Sequence, residues 1–324
     1  MSRLSFKIAS FATAASLLMG NTAMAELTTQ TFTFENAGAT LSGTLYLPED
    51  HDGSALPTVV VTGSWTSVEE QMPALYAAEM VERGFAAVTF DFRGWGKSGN
   101  LPAATPGGMR FIEDPVAKIS DIDAAVTHIA SFAEVDAEMI TGLGICASAG
   151  YMVDAATHND MIRSVGLVAP WLQDRAIIET VYGGPEGIAG LVSVAEAAEA
   201  QGGEVIHAAY TEDSLMADFD YYGNFKRGLI AAYDNKWNNA GWNDWLSYQP
   251  VDSAPDLTQP LAIVHSRAAA IPQGVDAFLD GYDGEATVEW FDDVAQDGFY
   301  DGQANIEAAA DIVANHFRIT APDT

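Results

Sequence analysis

The segment Met139 to Tyr151 constrains this chain more than any other. It reads Met-Ile-Thr-Gly-Leu-Gly-Ile-Cys-Ala-Ser-Ala-Gly-Tyr, an apolar run that passes through Gly144, Cys146, Ser148 and Gly150 into an Ala-rich helical stretch. A strand that bends directly into a helix needs small residues around the bend. One residue there sits in a strained backbone conformation, and its neighbours must pack closely. That residue is projected from the end of a sheet, the placement of an attacking nucleophile. Here it is Cys146, the single cysteine of the protein.

The compartment follows from the amino terminus. Arg3 and Lys7 precede an apolar stretch from Ile8 to Met19, and Ala23-Met24-Ala25 has the small-x-small pattern of a cleavage site. Residues 1–25 therefore read as a secretory signal, too short and interrupted for a membrane span. The expectation is a bacterial protein exported to the periplasm or secreted, with a mature chain over 26–324 and no membrane insertion once the signal is removed. Removing Arg3 and Lys7 leaves 12 Lys and Arg against 45 Asp and Glu, a net charge of −33 in place of −31. Such a surface repels nucleic acid and anionic lipid and suits solubility in salt. A lone cysteine forms no internal disulfide, so in an oxidising compartment Cys146 is either buried or kept for its chemistry.

Alternation at Thr29–Phe34 and Leu41–Leu47 predicts two antiparallel strands. Buried strands are expected at Thr58–Thr62, Ala86–Phe90, Met139–Ile145, Ser164–Val168, Leu261–His265 and Ala286–Phe291. Helices are expected over 68–83, 116–132 and 304–318. Strands alternating with helices imply an α/β fold, a mostly parallel central sheet with helices on both faces. Between Gln173 and Pro260 the pattern changes to an Ala/Glu-rich helical stretch and then an aromatic one, with Tyr221, Tyr222, Tyr233, Trp237, Trp242, Trp245 and Tyr248. Its position between two core strands predicts a helical cap insertion over 173–260. Its aromatics form the cap's own core or line a small-molecule pocket, with Trp171, Tyr222 and Trp242 as the candidate substrate contacts.

Asp91-Phe-Arg-Gly-Trp-Gly-Lys-Ser-Gly99 after the fourth strand, the Cys146 turn, and the cap insertion occur in an order that resembles the α/β-hydrolase superfamily. Trp65, Glu69-Glu70-Gln71-Met72 and Phe299-Tyr300-Asp301 are similar to a bacterial subgroup near dienelactone-hydrolase-like and X-Pro-dipeptidyl-peptidase-like proteins. The resemblance implies hydrolysis of an ester, thioester or lactone. It implies an oxyanion hole from the backbone of Ala147 and of Ser64 or Trp65. Relatives of the dienelactone-hydrolase type carry cysteine at the nucleophile position.

Two frames fit the turn. With Cys146 as nucleophile, Gly144, Ser148 and Ala149 supply the small neighbours, and the helix N-terminus favours the thiolate. With Ser148 as nucleophile, the bulky Tyr151 falls where a small residue is needed. The proton-transfer partners are harder to place. The usual histidine position after the last strand falls within 294–301, which holds no histidine; Gln296 is the best match, and an amide cannot shuttle a proton. His51, His128, His158, His207 and His316 lie elsewhere, while His265 ends a core strand at the active edge. The loop 266–272 carries no carboxylate, leaving Asp174 and Asp297 as candidate acids. Three readings stay open: a Cys146 hydrolase with a non-standard triad, a degenerate hydrolase fold that binds a small molecule, and a Ser148 hydrolase. No clustered metal ligands, phosphate loop or dinucleotide fingerprint is present in the sequence, so no cofactor is expected.

Overall fold

The computed structural model describes residues 27–99 and 108–320. The proposed signal, 1–25, lies outside the described residues. Ten strands and ten α-helices make up the described chain. Eight of the strands form one sheet in the order β1-β2-β4-β3-β5-β6-β9-β10. The amino-terminal hairpin, β1 (Leu27–Asn36) and β2 (Ala39–Pro48), pairs antiparallel and packs antiparallel onto β4 (Ala86–Phe90). From β4 onward every neighbour is parallel: β3 (Leu56–Thr62), β5 (Val135–Ile145), β6 (Ile162–Val168), β9 (Leu261–Ser266) and β10 (Ala286–Phe291).

The central strands are buried on both faces, as their unbroken Val/Ile/Leu runs require. Val59, Val60, Val61, Leu143, Val165 and Val264 have no exposed surface. Helices α1 (Met72–Glu82), α2 (Pro115–Ile129), α3 (Ala147–Ala156) and α10 (Gln303–Ile319) pack on the sheet or on one another. Pro115 opens α2 where no amide partner is needed, and the Asp114 side chain accepts the Ala117 N–H.

The insertion between β6 and β9 contains α4 (Arg175–Val181), α5 (Gly184–Ala200), the short β7–β8 ladder (Val205–His207 with Lys236–Asn238), α6 (Asp220–Gly223) and α7 (Trp242–Ser247). Its contacts fall on loops at the carboxyl ends of the parallel strands. Tyr222 meets Ser64 after β3, Asp234 takes the Gly96 N–H after β4, and Trp245 packs on Trp171 after β6. The insertion therefore covers the end of the sheet where α/β sites lie. It contains the short β7–β8 ladder, which the helical expectation for this stretch did not include.

Candidate active site

Residue 146 sits between β5 and α3 with φ 57° and ψ −118°. For a residue with a Cβ this is a left-handed, strained conformation. The bend is pinned from both sides. The Cys146 N–H donates to Val168 O at 3.1 Å, while its carbonyl accepts the N–H groups of Ala149 (3.1 Å) and Trp171 (2.9 Å). Gly144 is required: a Cβ there would lie 2.6 Å from Ala149 Cα and 2.7 Å from Ser148 O.

Four polar groups near the Cys146 sulfur favour its thiolate: the Tyr300 hydroxyl, the Ala147 and Trp65 amides, and the Gln296 side chain. Trp65 is placed by a tight loop after β3. Thr66 has φ 61°, and the Ser67 hydroxyl and amide both return to Ser64 O, at 2.7 and 3.2 Å. The Glu69 N–H is held by Asp91 at 2.8 Å, which also takes the Lys97 N–H at 2.8 Å. The Asp91–Gly99 segment thus braces the Trp65 loop. Burial and the neighbouring Glu69 carboxylate push Asp91 up to about 7. Glu69, Glu70 and Asp91 form a carboxylate cluster, but Lys97 already supplies a positive charge there, against Glu70 and 3.5 Å from Glu69.

Behind the same loop, fully buried Glu113 pairs with Lys118 at 2.5 Å. It accepts the Tyr151 hydroxyl at 2.8 Å and the Thr66 N–H at 3.3 Å. Removing one member of such a pair would strand the other charge.

Burial pushes the Cys146 thiol up, and the neighbouring polar groups only partly oppose it. The sequence reading expected the helix N-terminus to favour the thiolate. The structure instead leaves Cys146 only 6% exposed, so desolvation outweighs the amides.

The structure disperses most of the other candidates. The Ser148 hydroxyl turns back into the elbow, donating to Ile145 O at 3.1 Å and accepting the Ile145 N–H at 3.2 Å. Asp174 caps α4 by accepting the Ile177 N–H at 2.7 Å. Asp297 pairs with Arg227 of the insertion at 2.7 Å. His265 is buried in β9 with Nε2 3.1 Å from Ala270 O, and burial lowers it to about 4, so its ring stays neutral.

Gln296 is among the groups that favour the Cys146 thiolate, but its own hydrogen bonds go elsewhere. Its Oε1 accepts the Ala270 N–H at 3.1 Å, and its Nε2 donates to Ala169 O at 2.7 Å and to the Tyr300 hydroxyl at 3.2 Å. The post-β9 loop therefore meets residue 296 with a backbone N–H where a triad would offer a carboxylate. Trp171 is held through Gln173, whose Oε1 accepts the indole N–H at 2.9 Å. The Gln173 amide donates to Trp245 O and Tyr248 O. Tyr222 contacts Ser64 and donates to Trp65 O at 3.2 Å, while Trp242 joins Trp65, Trp237 and Trp245 in one cluster of rings. Tyr300, Gln173 and Glu113 were not singled out from sequence as site residues. Tyr300 is four residues beyond Gln296, a spacing that brings both to one face of a helical turn.

No protein-family model matches the chain. Among curated proteins, PA2218 of Pseudomonas aeruginosa is 37% identical over 134 residues, 41% of this chain and 34% of that protein. The match thus spans about a third of that relative's length. The crystal structure of PA2218 superposes with a TM-score of 0.74 at 23% identity, covering 92% of this chain and 95% of that one. The α/β-hydrolase GrgF from Penicillium superposes at 0.67 with 16% identity, over 90% and 99% of the two chains. The fold is that of the α/β-hydrolases. Est1E of Butyrivibrio proteoclasticus, solved with ferulic acid bound, shares it at a TM-score of 0.58 and 17% identity, over 89% and 99%.

Proposed function

We propose that this hydrolase-fold protein takes an acyl group from an ester, thioester or lactone onto Cys146. The observation that carries the reading is the strained φ of Cys146 at the strand-to-helix bend, with the Trp65 and Ala147 amides among the groups that favour its thiolate. A residue is held at such angles only when its surroundings over-determine them. In this reading the same two amides stabilise the oxyanion that forms when sulfur attacks a carbonyl.

In the first step the S–C bond forms, the bond to the leaving alcohol or thiol breaks, and the thiol proton ends on that leaving group. In the second step water adds to the thioester carbon, the S–C bond breaks to release the carboxylic acid, and one proton of that water passes to sulfur. The ring of donors supports the first step by stabilising negative charge. It offers no acceptor for a water proton, so the second step is slow and the acyl-enzyme accumulates. Trp171, Tyr222 and Trp242 line the acyl side of the site in this reading. The activity is esterase-like, acting on a small molecule, and the protein works after export from a bacterial cytoplasm. The resemblance of Trp65, Glu69-Glu70-Gln71-Met72 and Phe299-Tyr300-Asp301 to the dienelactone-hydrolase-like and X-Pro-dipeptidyl-peptidase-like subgroup supports this reading.

One observation favours a second reading. Gln296 stands in the base position with all its polar atoms engaged, which suits a protein that binds a small molecule without turning it over. The test uses intact-mass and turnover measurements on mature protein with short activated acyl esters, beside Cys146→Ala and Ser148→Ala. An adduct lost in Cys146→Ala and kept in Ser148→Ala supports acyl transfer to Cys146. No adduct on any ester, with a small molecule retained, establishes the binding reading instead.

A further inference from the structure

We propose that Arg227 is a positioning residue that ties the insertion to the segment carrying Gln296 and Tyr300. Opening the site to a substrate and dismantling the donor ring around Cys146 would then be one motion. The inference rests on the reading that Cys146 is the reacting group.

Arg227 lies in the insertion, and its guanidinium reaches the chain after β10. Nε and Nη2 bond both oxygens of Asp301, at 2.6 and 2.7 Å, and Nη1 bonds Asp297 at 2.7 Å. Nη1 also meets Asp220 at 3.0 Å, and the guanidinium lies 5.7 Å from the Tyr221 ring centroid. Asp297 and Asp301 bracket Tyr300 on α9 (Gly298–Asp301), and Asp297 directly follows Gln296. The two side chains that favour the Cys146 thiolate, Gln296 and Tyr300, thus sit on the short segment that Arg227 grips. A two-pronged Arg–carboxylate bond fixes orientation as well as distance.

The other side of the insertion is fastened to the oxyanion loop. Gly228, next to Arg227, accepts the Gln71 side-chain amide at 2.7 Å. Tyr222 holds Ser64 and Trp65 O, and the Tyr233 hydroxyl is 2.9 Å from Thr66 Oγ1. Tyr221 and Tyr222 lie against the Tyr300 ring, at 5.2 and 6.3 Å. The 219–233 stretch therefore bridges the two loops that flank Cys146, which is itself buried. Neutral hydrogen bonds fasten one end of this bridge and ion pairs the other. The Arg227 side chain is 23% exposed, and Asp297 and Asp301 are 25% and 27% exposed, so salt can screen them. Without Arg227 the three aspartates would repel one another.

Cys146 is the only thiol, so its alkylation by iodoacetamide, followed by intact mass, reports access directly without any acyl chemistry. In wild-type mature protein the rate should rise with potassium chloride. Arg227→Ala should react about tenfold faster at low salt and lose the salt dependence, while Arg227→Lys should fall between and retain it. The double variant Asp297→Asn/Asp301→Asn should behave as Arg227→Ala. Equal rates in wild type, Arg227→Ala and the double variant would overturn the proposal. So would a wild-type rate that stays flat to high salt, a measurement that needs no variant to fold. Gated alkylation without an acyl adduct would leave the latch standing and remove the acyl-transfer reading; an adduct with ungated alkylation would do the reverse.

Discussion

Restoring a histidine at position 296 should not restore a base. The two groups that hold Gln296 are the Ala270 N–H, which donates to Oε1, and the Ala169 carbonyl, which accepts from Nε2. In Gln296→His the same pair selects one tautomer. The ring nitrogen facing Ala270 must accept, and the nitrogen on the Ala169 side must carry the proton. A general base needs the reverse arrangement, an unprotonated nitrogen toward the sulfur and a proton held on the far side by a carboxylate. Reversing the tautomer would set N–H against the Ala270 N–H and a lone pair against Ala169 O. Each buried group left unpaired costs about 1–3 kcal/mol. At the low end the two together cost about 2 kcal/mol, leaving the base-competent tautomer at about 3% or less of the population. The assay is steady-state hydrolysis of an activated ester by wild type and Gln296→His from pH 5 to 9. The expected result is turnover within a few-fold of wild type and no new titration near the histidine range. A gain of a hundredfold or more, rising through such a titration, would refute the reasoning.

Other expectations follow from the same contacts. Ser148→Ala should lose the two bonds to Ile145, costing about 1–2 kcal/mol in urea unfolding, while keeping any acyl adduct. Cys146→Gly should be more stable than Cys146→Ala by about 1 kcal/mol, because glycine relieves the φ of 57°; equal stabilities would deny the strain. Tyr300→Phe removes a hydroxyl that favours the thiolate, so the midpoint of the alkylation rate against pH should move up from its already raised position; a downward move would contradict that role. Asp91 is raised to about 7, above the ordinary carboxylate range, so its folded form holds the proton more tightly than the unfolded form. Its contribution to stability is full below about pH 4 and is lost as the pH rises through about 7. Unfolding free energy should fall over that window in wild type and fall less in Asp91→Asn.

The fold was legible because its signals are local. The strands at Ala86–Phe90 and Ala286–Phe291 fall where expected, and the glycines around Cys146 mark a bend that only small residues permit. Helix α1 begins at Met72 rather than Val68, since residues 66–71 are spent on the loop that aims the Trp65 amide. The site was legible only in part. Gln296 could be placed by its distance from the last strand, but its partners come from Ala169 and Ala270, and no side-chain chemistry announces a backbone N–H. Asp174 and Asp297 are the right residue type in the right loops, yet one is a helix cap and the other an ion-pair partner. Those roles depend on neighbours such as Arg227 that are distant in sequence. The acidity of Cys146 was misjudged because the helix N-terminus is visible in the sequence and the aromatic cover over it is not.

The most direct test of the account is to locate the acyl group itself. Protein spanning residues 26–324 would be pulsed with a short activated acyl ester, quenched in acid and analysed by peptide mass spectrometry before and after neutral hydroxylamine. The account expects one acyl group on the peptide containing Cys146, labile to hydroxylamine as a thioester is, and absent from Cys146→Ala. A hydroxylamine-resistant acyl group on Ser148, or full labelling of Cys146→Ala, would contradict it.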